Sequence, residues 1–275
     1  MSDPYLDPQS GILRNRFGIA VQSALDLREA DAVSVRSVLL ERNPIEGNFD
    51  SDHLKRIHEY LFRDVYDWAG QFRTIPLAKA DYSHPERITR FTPPEEISTE
   101  LEKVFRTLAE ENFFAGLVRR DFSRKVAWLL SEINRIHPFR EGNGRAQRQF
   151  VRQLCRGIGF TLHFEVVSKE RLVQASILSA HGDLSMMERL TDEISNTERI
   201  QPLTKLIAHF EKHGFGWNDR YLAATTAGQE YTGTFAGSDG SNFFFYDREN
   251  RILVGKAVDL GGVSNPGDQI SFTSS

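Results

Sequence analysis

Apolar residues recur at helical spacing as far as Lys212-His213-Gly214, and from Tyr231 onward they alternate in short runs separated by turn residues. That change of period constrains the fold more than any other feature, and it predicts a mainly α protein ending in a small β module. Helices are expected from Gln22 to about Glu41, where Asn43-Pro44 interrupts, and from about Asp52, capped by Asp50 or Ser51. The second carries Leu54, Ile57, His58, Leu61, Phe62, Val65 and Tyr66 on one stripe, and Trp68-Ala69-Gly70 stops it. Another follows Pro93-Pro94 to about Glu111, one runs from Phe122 to Ile136 with Asp121 as cap, and one from Asn143 to Gly157. Three more are expected near 168–180, 183–197 and 199–213. Residues 1–20, broken by Pro4, Pro8 and Gly11, read as a loosely structured arm. Gln71 to Leu77 alternates like a short strand, and Lys79-Ala80-Asp81-Tyr82 reads as the turn of a hairpin. In the tail, strands are expected at Tyr231–Phe235, Asn242–Tyr246, Ile252–Ala257 and Ile270–Phe272. A module of ~45 residues is below the size that usually folds alone, so it should pack against helices. Its pattern suits a partial five-stranded, OB-like (oligonucleotide/oligosaccharide-binding) barrel.

The chain's 275 residues suffice for one large domain, or a medium one plus a small one. No apolar run reaches the length of a membrane span, and Met1-Ser2-Asp3-Pro4-Tyr5 lacks the features of a secretory signal. The single cysteine, Cys155, excludes an internal disulfide and a cysteine-rich zinc site, leaving the expectation of a cytoplasmic protein with a buried thiol. A net charge of −4 argues against non-specific nucleic-acid binding. Between Arg119 and Arg156, however, ten basic residues face three acidic ones, a local excess of +7. That excess suits a small polyanion such as a nucleoside triphosphate, or it is a solvated helix face.

The stretch from His137 to Arg148 lies inside this basic region. Free N–H groups at a helix start attract anions, and Gly142 and Gly144 would let the chain approach a phosphate closely. Asn143 can donate an amide hydrogen bond to a phosphate oxygen, and Arg145 and Arg148, three apart, share one helix face. Glu141 fits an anion site only if a cation such as magnesium (Mg2+) accompanies the phosphates. His137 can take a proton from an attacking hydroxyl at neutral pH. Each residue alone has a duller explanation: a capping histidine, turn glycines, solvent-facing arginines. All of them within twelve residues describe a phosphoryl- or nucleotidyl-transfer site.

HPFREGNGRAQR, His137 to Arg148, resembles the signature of the Fic (filamentation induced by cAMP) family, H-x-F-x-[D/E]-G-N-G-R-x-x-R, at every specified position. Leu54 to Phe62, Asp64 to Gly70 and the hairpin to Tyr82 extend the resemblance. It implies a Fic-type helical domain with a β-hairpin flap over about 1–200, a helical linker at 201–230 and the OB-like module at 231–275. It also implies adenylylation: transfer of AMP from ATP to a Ser, Thr or Tyr hydroxyl of a target protein. By position, His137 becomes the general base and Glu141 the magnesium ligand. Gly142, Asn143 and Gly144 cradle the phosphates, and Arg145 and Arg148 hold the β and γ phosphates. The flap, around Ile75 to Ala80, docks the target by strand addition, with Lys79 and Ala80 close to the nucleotide. Rival readings are transfer of phosphate, UMP or phosphocholine, and a non-enzymatic adaptor.

Many relatives carry an inhibitory helix of pattern [S/T]-x-x-x-E-[G/N]. Ser37 to Glu41, Arg42 to Gly47 and Thr226 to Glu230 each match it incompletely, so inhibition is expected from a separate small antitoxin. Asp3 to Gly11 and Gly47 to Lys55 resemble Fic toxins and type IV secreted effectors of Bartonella and relatives. That resemblance implies a bacterial type II topoisomerase or a host protein as target. The implied location is the bacterial cytoplasm, or a host cell reached through a type IV system, with no membrane or direct nucleic-acid partner.

Overall fold

The computed structural model describes residues 3–80, 88–262 and 264–275. Its contacts divide the chain into two compact units, Met1–Val118 with Lys125–Phe160, and Arg119–Arg124 with Thr161–Ser275. The first holds α1 (Gln22–Arg42), α2 (Ser51–Phe62), α3 (Ile97–Glu110), most of α4 (Arg119–Ile136) and α5 (Asn143–Gly157). Asp50 caps α2 by accepting the His53 N–H at 2.8 Å, and Leu54, Ile57, Leu61 and Phe62 bury its apolar stripe. Val65 and Tyr66 are buried too, but in turns beyond the helix end at Phe62. Asp121 lies in the first turn of α4 rather than capping it; Val118 is the cap residue. Both α1 and α2 pack on α5, which meets α4 where Gln147 Nε2 donates to the Leu130 carbonyl at 2.9 Å.

Two expectations for this unit need correction. The arm is short of regular structure but not loose: Tyr5 is buried edge-on against Trp68, and Arg140 donates to Asp3 at 2.8 Å. Gln71 to Leu77 forms no strand, because the Arg73 N–H bonds the Pro138 carbonyl and Pro76 has no N–H to give a ladder. The flap strands are β1 (Ala78–Ala80) and β2 (Ile88–Arg90), antiparallel, so Lys79 and Ala80 sit in a strand instead of a turn. Asp81 and Tyr82 lie outside the described residues.

The second unit contains α6 (Lys169–Ala180), α7 (Ser185–Ile194), α8 (Thr197–Lys212) and the strands β3 (Leu222–Ala224), β4 (Glu230–Ser238), β5 (Asn242–Tyr246), β6 (Ile252–Lys256) and β7 (Gln269–Thr273). They form one sheet in the order β3-β6-β5-β4-β7, in which only β3/β6 is parallel. Phe235, Phe243, Phe245 and Phe272 fill its core, and α8 covers β3 and β6. The edge strands meet at one end, where Ser274 Oγ donates to Thr225 Oγ1 at 2.9 Å, giving a partly open five-stranded barrel. Residue 200 falls inside α8, and the span 201–230, expected as helical linker, contains β3. Leu222, Ala223 and Ala224 are all buried, so they carry no period-two alternation to announce a strand. Among the described residues, no helix is long and apolar enough to cross a membrane.

Candidate active site

The C-terminal end of α4 delivers His137 in the left-handed conformation, at φ 50° and ψ 60°. A non-glycine residue there is strained by about 1 kcal/mol or more. Arg73 holds it. Its guanidinium is buried and donates to the carbonyls of His137 at 2.8 Å, Ile136 at 3.2 Å, Ile75 at 2.7 Å and Thr92. A cation at a helix C-terminus is favourably placed against the helix dipole, and this one also ties the base of the flap to the end of α4. The His137 ring is 7% exposed and stacks on Phe91, which follows β2, at 3.9 Å between centroids. Burial, helped by the charges of Lys79 and Arg73, lowers its pKa to about 3, and the Asn134 backbone only partly offsets this. The imidazole is therefore neutral at physiological pH. Its Nδ1 is buried without a well-formed hydrogen bond.

The loop from Pro138 to Gly142 is braced from within and from α2. Asn143 Oδ1 accepts the Phe139 N–H at 2.8 Å, and its Nδ2 donates to the Phe139 carbonyl at 2.7 Å. The Asn143 side chain is thus spent on the loop, where the sequence had suggested a phosphate contact. His58 of α2 stacks on Phe139 at 3.8 Å. Its Nδ1 accepts the Gly70 N–H at 2.9 Å, so Nε2 carries the proton and donates it to the Glu141 carbonyl at 2.9 Å. Burial lowers the His58 pKa to about 3 and keeps this tautomer neutral. Gly142, at φ +82°, backs onto Phe62: a Cβ there would lie 2.3 Å from the ring. No other residue fits that approach.

Helix α5 starts at Asn143; the Arg145 and Ala146 N–H groups both donate to the Gly142 carbonyl at 3.1 Å, which leaves the Asn143 and Gly144 N–H groups without an acceptor in the helix. The two arginines on this turn differ. Arg145 lies over the Phe62 ring at 4.7 Å and pairs through Nη2 with Glu29 of α1, whose other oxygen accepts the Tyr66 hydroxyl. Arg148 has no hydrogen-bond or ion-pair partner among the described residues. Burial and the neighbouring guanidiniums of Arg152 and Arg145 push its pKa down to about 10. Glu141 Oε1 accepts the Gly142 N–H at 2.9 Å and lies 3.5 Å from Arg145, with the side chain 40% exposed.

Among the described residues no three His, Cys, Asp or Glu side chains gather into a metal cage. The lone accessible carboxylate of Glu141 fits a magnesium ion that arrives with phosphates and keeps its waters, rather than one held by protein alone. His137, Glu141, Gly142, Asn143, Gly144, Arg145 and Arg148 thus share one loop and the helix it starts. Lys79 is near enough for its charge to act on His137, whereas the described contacts do not tie Ala80 to the loop. Sequence reasoning missed Glu29, His58, Tyr66, Arg73 and Phe91. One sign was present: Glu29 falls on the same buried face as Leu25 and Val33, an acid where an apolar residue is expected.

Residues 48–155 match the model of the Fic/DOC family. The chain is 33% identical over 282 residues to a protein adenylyltransferase of Bartonella henselae, covering 98% of this chain and 52% of that protein. It therefore spans about half the length of this curated relative. The solved structure of the type IV secretion system effector protein BepA superposes with a TM-score of 0.87 at 30% identity, covering 98% of this chain and 95% of that one. The N-terminal Fic domain of a Bartonella quintana effector, solved with bound ADP, gives a TM-score of 0.64 at 30% identity, covering 69% of this chain and 93% of that one.

Proposed function

The chain belongs to the Fic/DOC family, and we propose that it transfers the AMP of ATP to a Ser, Thr or Tyr hydroxyl of another protein. The observation that carries this reading is the unpartnered guanidinium of Arg148 beside the open N-terminus of α5, with a neutral imidazole at the other end of the same loop. A cation without a counter-ion next to free N–H groups is a site for phosphate.

The neutral imidazole of His137 accepts the proton of the attacking hydroxyl. The hydroxyl oxygen bonds to the α-phosphorus, the bond to the bridging oxygen of the β-phosphate breaks, and pyrophosphate leaves. The pKa near 3 reflects burial first and then the charges of Lys79 and Arg73. The triphosphate's negative charge favours the imidazolium and raises that value as the proton arrives. Arg148 and Arg145 take the β and γ phosphates, while the backbone N–H groups of Asn143 and Gly144 receive phosphate oxygens; that of Gly142, which serves Glu141, would join them once this carboxylate holds magnesium. Glu141 would hold magnesium, which when bound neutralises charge on the triphosphate. The exposed strand β1, with Lys79 and Ala80, offers backbone groups to an extended target segment.

The target is a protein with an exposed hydroxyl, either a bacterial type II topoisomerase or a host protein reached by type IV secretion. An antitoxin acting in trans is proposed as the inhibitor, because Arg148 has no partner among the described residues while Glu41 is committed to Arg152. The test is incubation with ATP labelled at the α or the γ phosphate and a lysate of candidate targets. Label should transfer only from the α position and fall about 10²–10⁴-fold with His137→Ala. Transfer of the γ label would replace this reading with phosphorylation.

A further inference from the structure

Taking AMP transfer as the activity, we propose that Glu29 of α1 is a positioning residue that fixes Arg145 for phosphate and limits its pair with Glu141 to a long one. Glu29 is buried, at 8% exposure, and both its oxygens are used, one by Arg145 and one by the Tyr66 hydroxyl. Tyr66 is itself immobilised by stacking on Trp68 at 4.3 Å. Phe62 closes one face of the Arg145 guanidinium, and the Gly142 backbone presses on the same ring. One edge and one face of the fork are therefore fixed, and Arg145 remains 28% exposed to meet a ligand.

The Arg145 Nη2 that pairs with Glu29 also donates to Glu141 Oε1, at a longer 3.5 Å. Without Glu29 the guanidinium closes on Glu141, and the long contact becomes a full pair that occupies the carboxylate magnesium needs. A carboxylate that merely blocked Arg145 until phosphate displaced it would act in the opposite direction. Burial argues against that role, because displacement would leave a desolvated carboxylate with only a tyrosine hydroxyl. Arg148, which has no partner among the described residues to give up, can receive phosphate first.

Calorimetric titration of the whole chain with ATP, in magnesium and in EDTA, tests this without relying on turnover. Glu29→Gln should weaken ATP binding about tenfold in magnesium, the loss expected for one charge-assisted contact. The gain in affinity that magnesium confers should shrink as well, since Arg145 then competes at Glu141. Glu29→Asp should recover part of both effects. Tyr66→Phe removes only one hydrogen bond, and about a threefold loss is expected. It decides the matter if Glu29→Gln does not fold. Unchanged or tighter ATP binding by these variants overturns the role of Glu29 alone. A wild-type protein that does not bind ATP removes AMP transfer, and this inference with it.

Discussion

Each compact unit contains a pair of arginines beside a buried glutamate, and the two pairs are neutralised differently. In the second unit, Arg171 is fully buried and shares Glu193 with Arg199, which also pairs with Asp192 at 2.9 Å. Glu193 further accepts the Ala224 N–H at 2.8 Å, so this cluster locks β3 to the helices α6, α7 and α8. In the first unit, Glu29 and, at 3.5 Å, Glu141 answer Arg145, while Arg148 has no partner among the described residues. Arginines whose charge is answered inside the protein hold the fold together. A guanidinium left short of negative charge, next to an open helix start, is reserved for a ligand.

The comparison breaks if the two clusters respond alike to mutation. Glu193→Ala leaves the fully buried Arg171 guanidinium without a carboxylate and Arg199 with Asp192 only, and should cost about 3–5 kcal/mol of stability in urea unfolding. Arg148→Ala removes a cation that the fold does not neutralise, so stability should change by less than about 1 kcal/mol. ATP affinity should instead fall about tenfold to a hundredfold. Equal destabilisation by both variants would make Arg148 a structural residue.

A smaller effect sharpens the same contrast through pH. His58 and His137 have pKa values lowered from 6.5 to about 3 by burial. Between those values the unfolded chain binds more protons than the folded one, so stability is lost as pH falls through the window from 6.5 towards 3. Each histidine contributes up to about 2 kcal/mol of that loss by pH 5. His137→Asn should flatten the acid limb of stability against pH, measured by denaturant midpoint. An unchanged slope between pH 6.5 and 5 would mean that the ring is not held neutral by burial.

The parts that sequence reading reached are those written contiguously. The loop from His137 and the helix from Asn143 stand in one run, and the stripe of α2 declares itself by period. The residues that support them come from elsewhere in the chain: Glu29 from α1, Arg73 from the segment before the flap, His58 from a stripe where it passes for core. Their roles depend on three-dimensional neighbours, and no local pattern encodes these. Asn143 shows the converse, since an amide that could reach a phosphate is consumed by Phe139. The strand β3 was hidden because full burial removes the alternation that marks strands.

The smallest expected effect concerns Glu41, the glutamate of one of the three partial matches to an inhibitory helix. Its carboxylate accepts from Arg152 Nη1 at 2.5 Å and from Gln149 Nε2 at 3.3 Å, and its carbonyl accepts from Arg156 at 3.0 Å. Arg152 lies four residues beyond Arg148, about one helical turn further from the start of α5. The Glu41 side chain is 48% exposed, so its pair with Arg152 is worth about 1 kcal/mol at most. Glu41→Ala should therefore change labelling from α-labelled ATP by less than about twofold. Strong activation would show that Glu41 reaches Arg148 in solution, and the inhibitor would then be part of this chain. Arg148 would no longer be an unanswered charge, and the difference between the two arginine clusters would disappear with it.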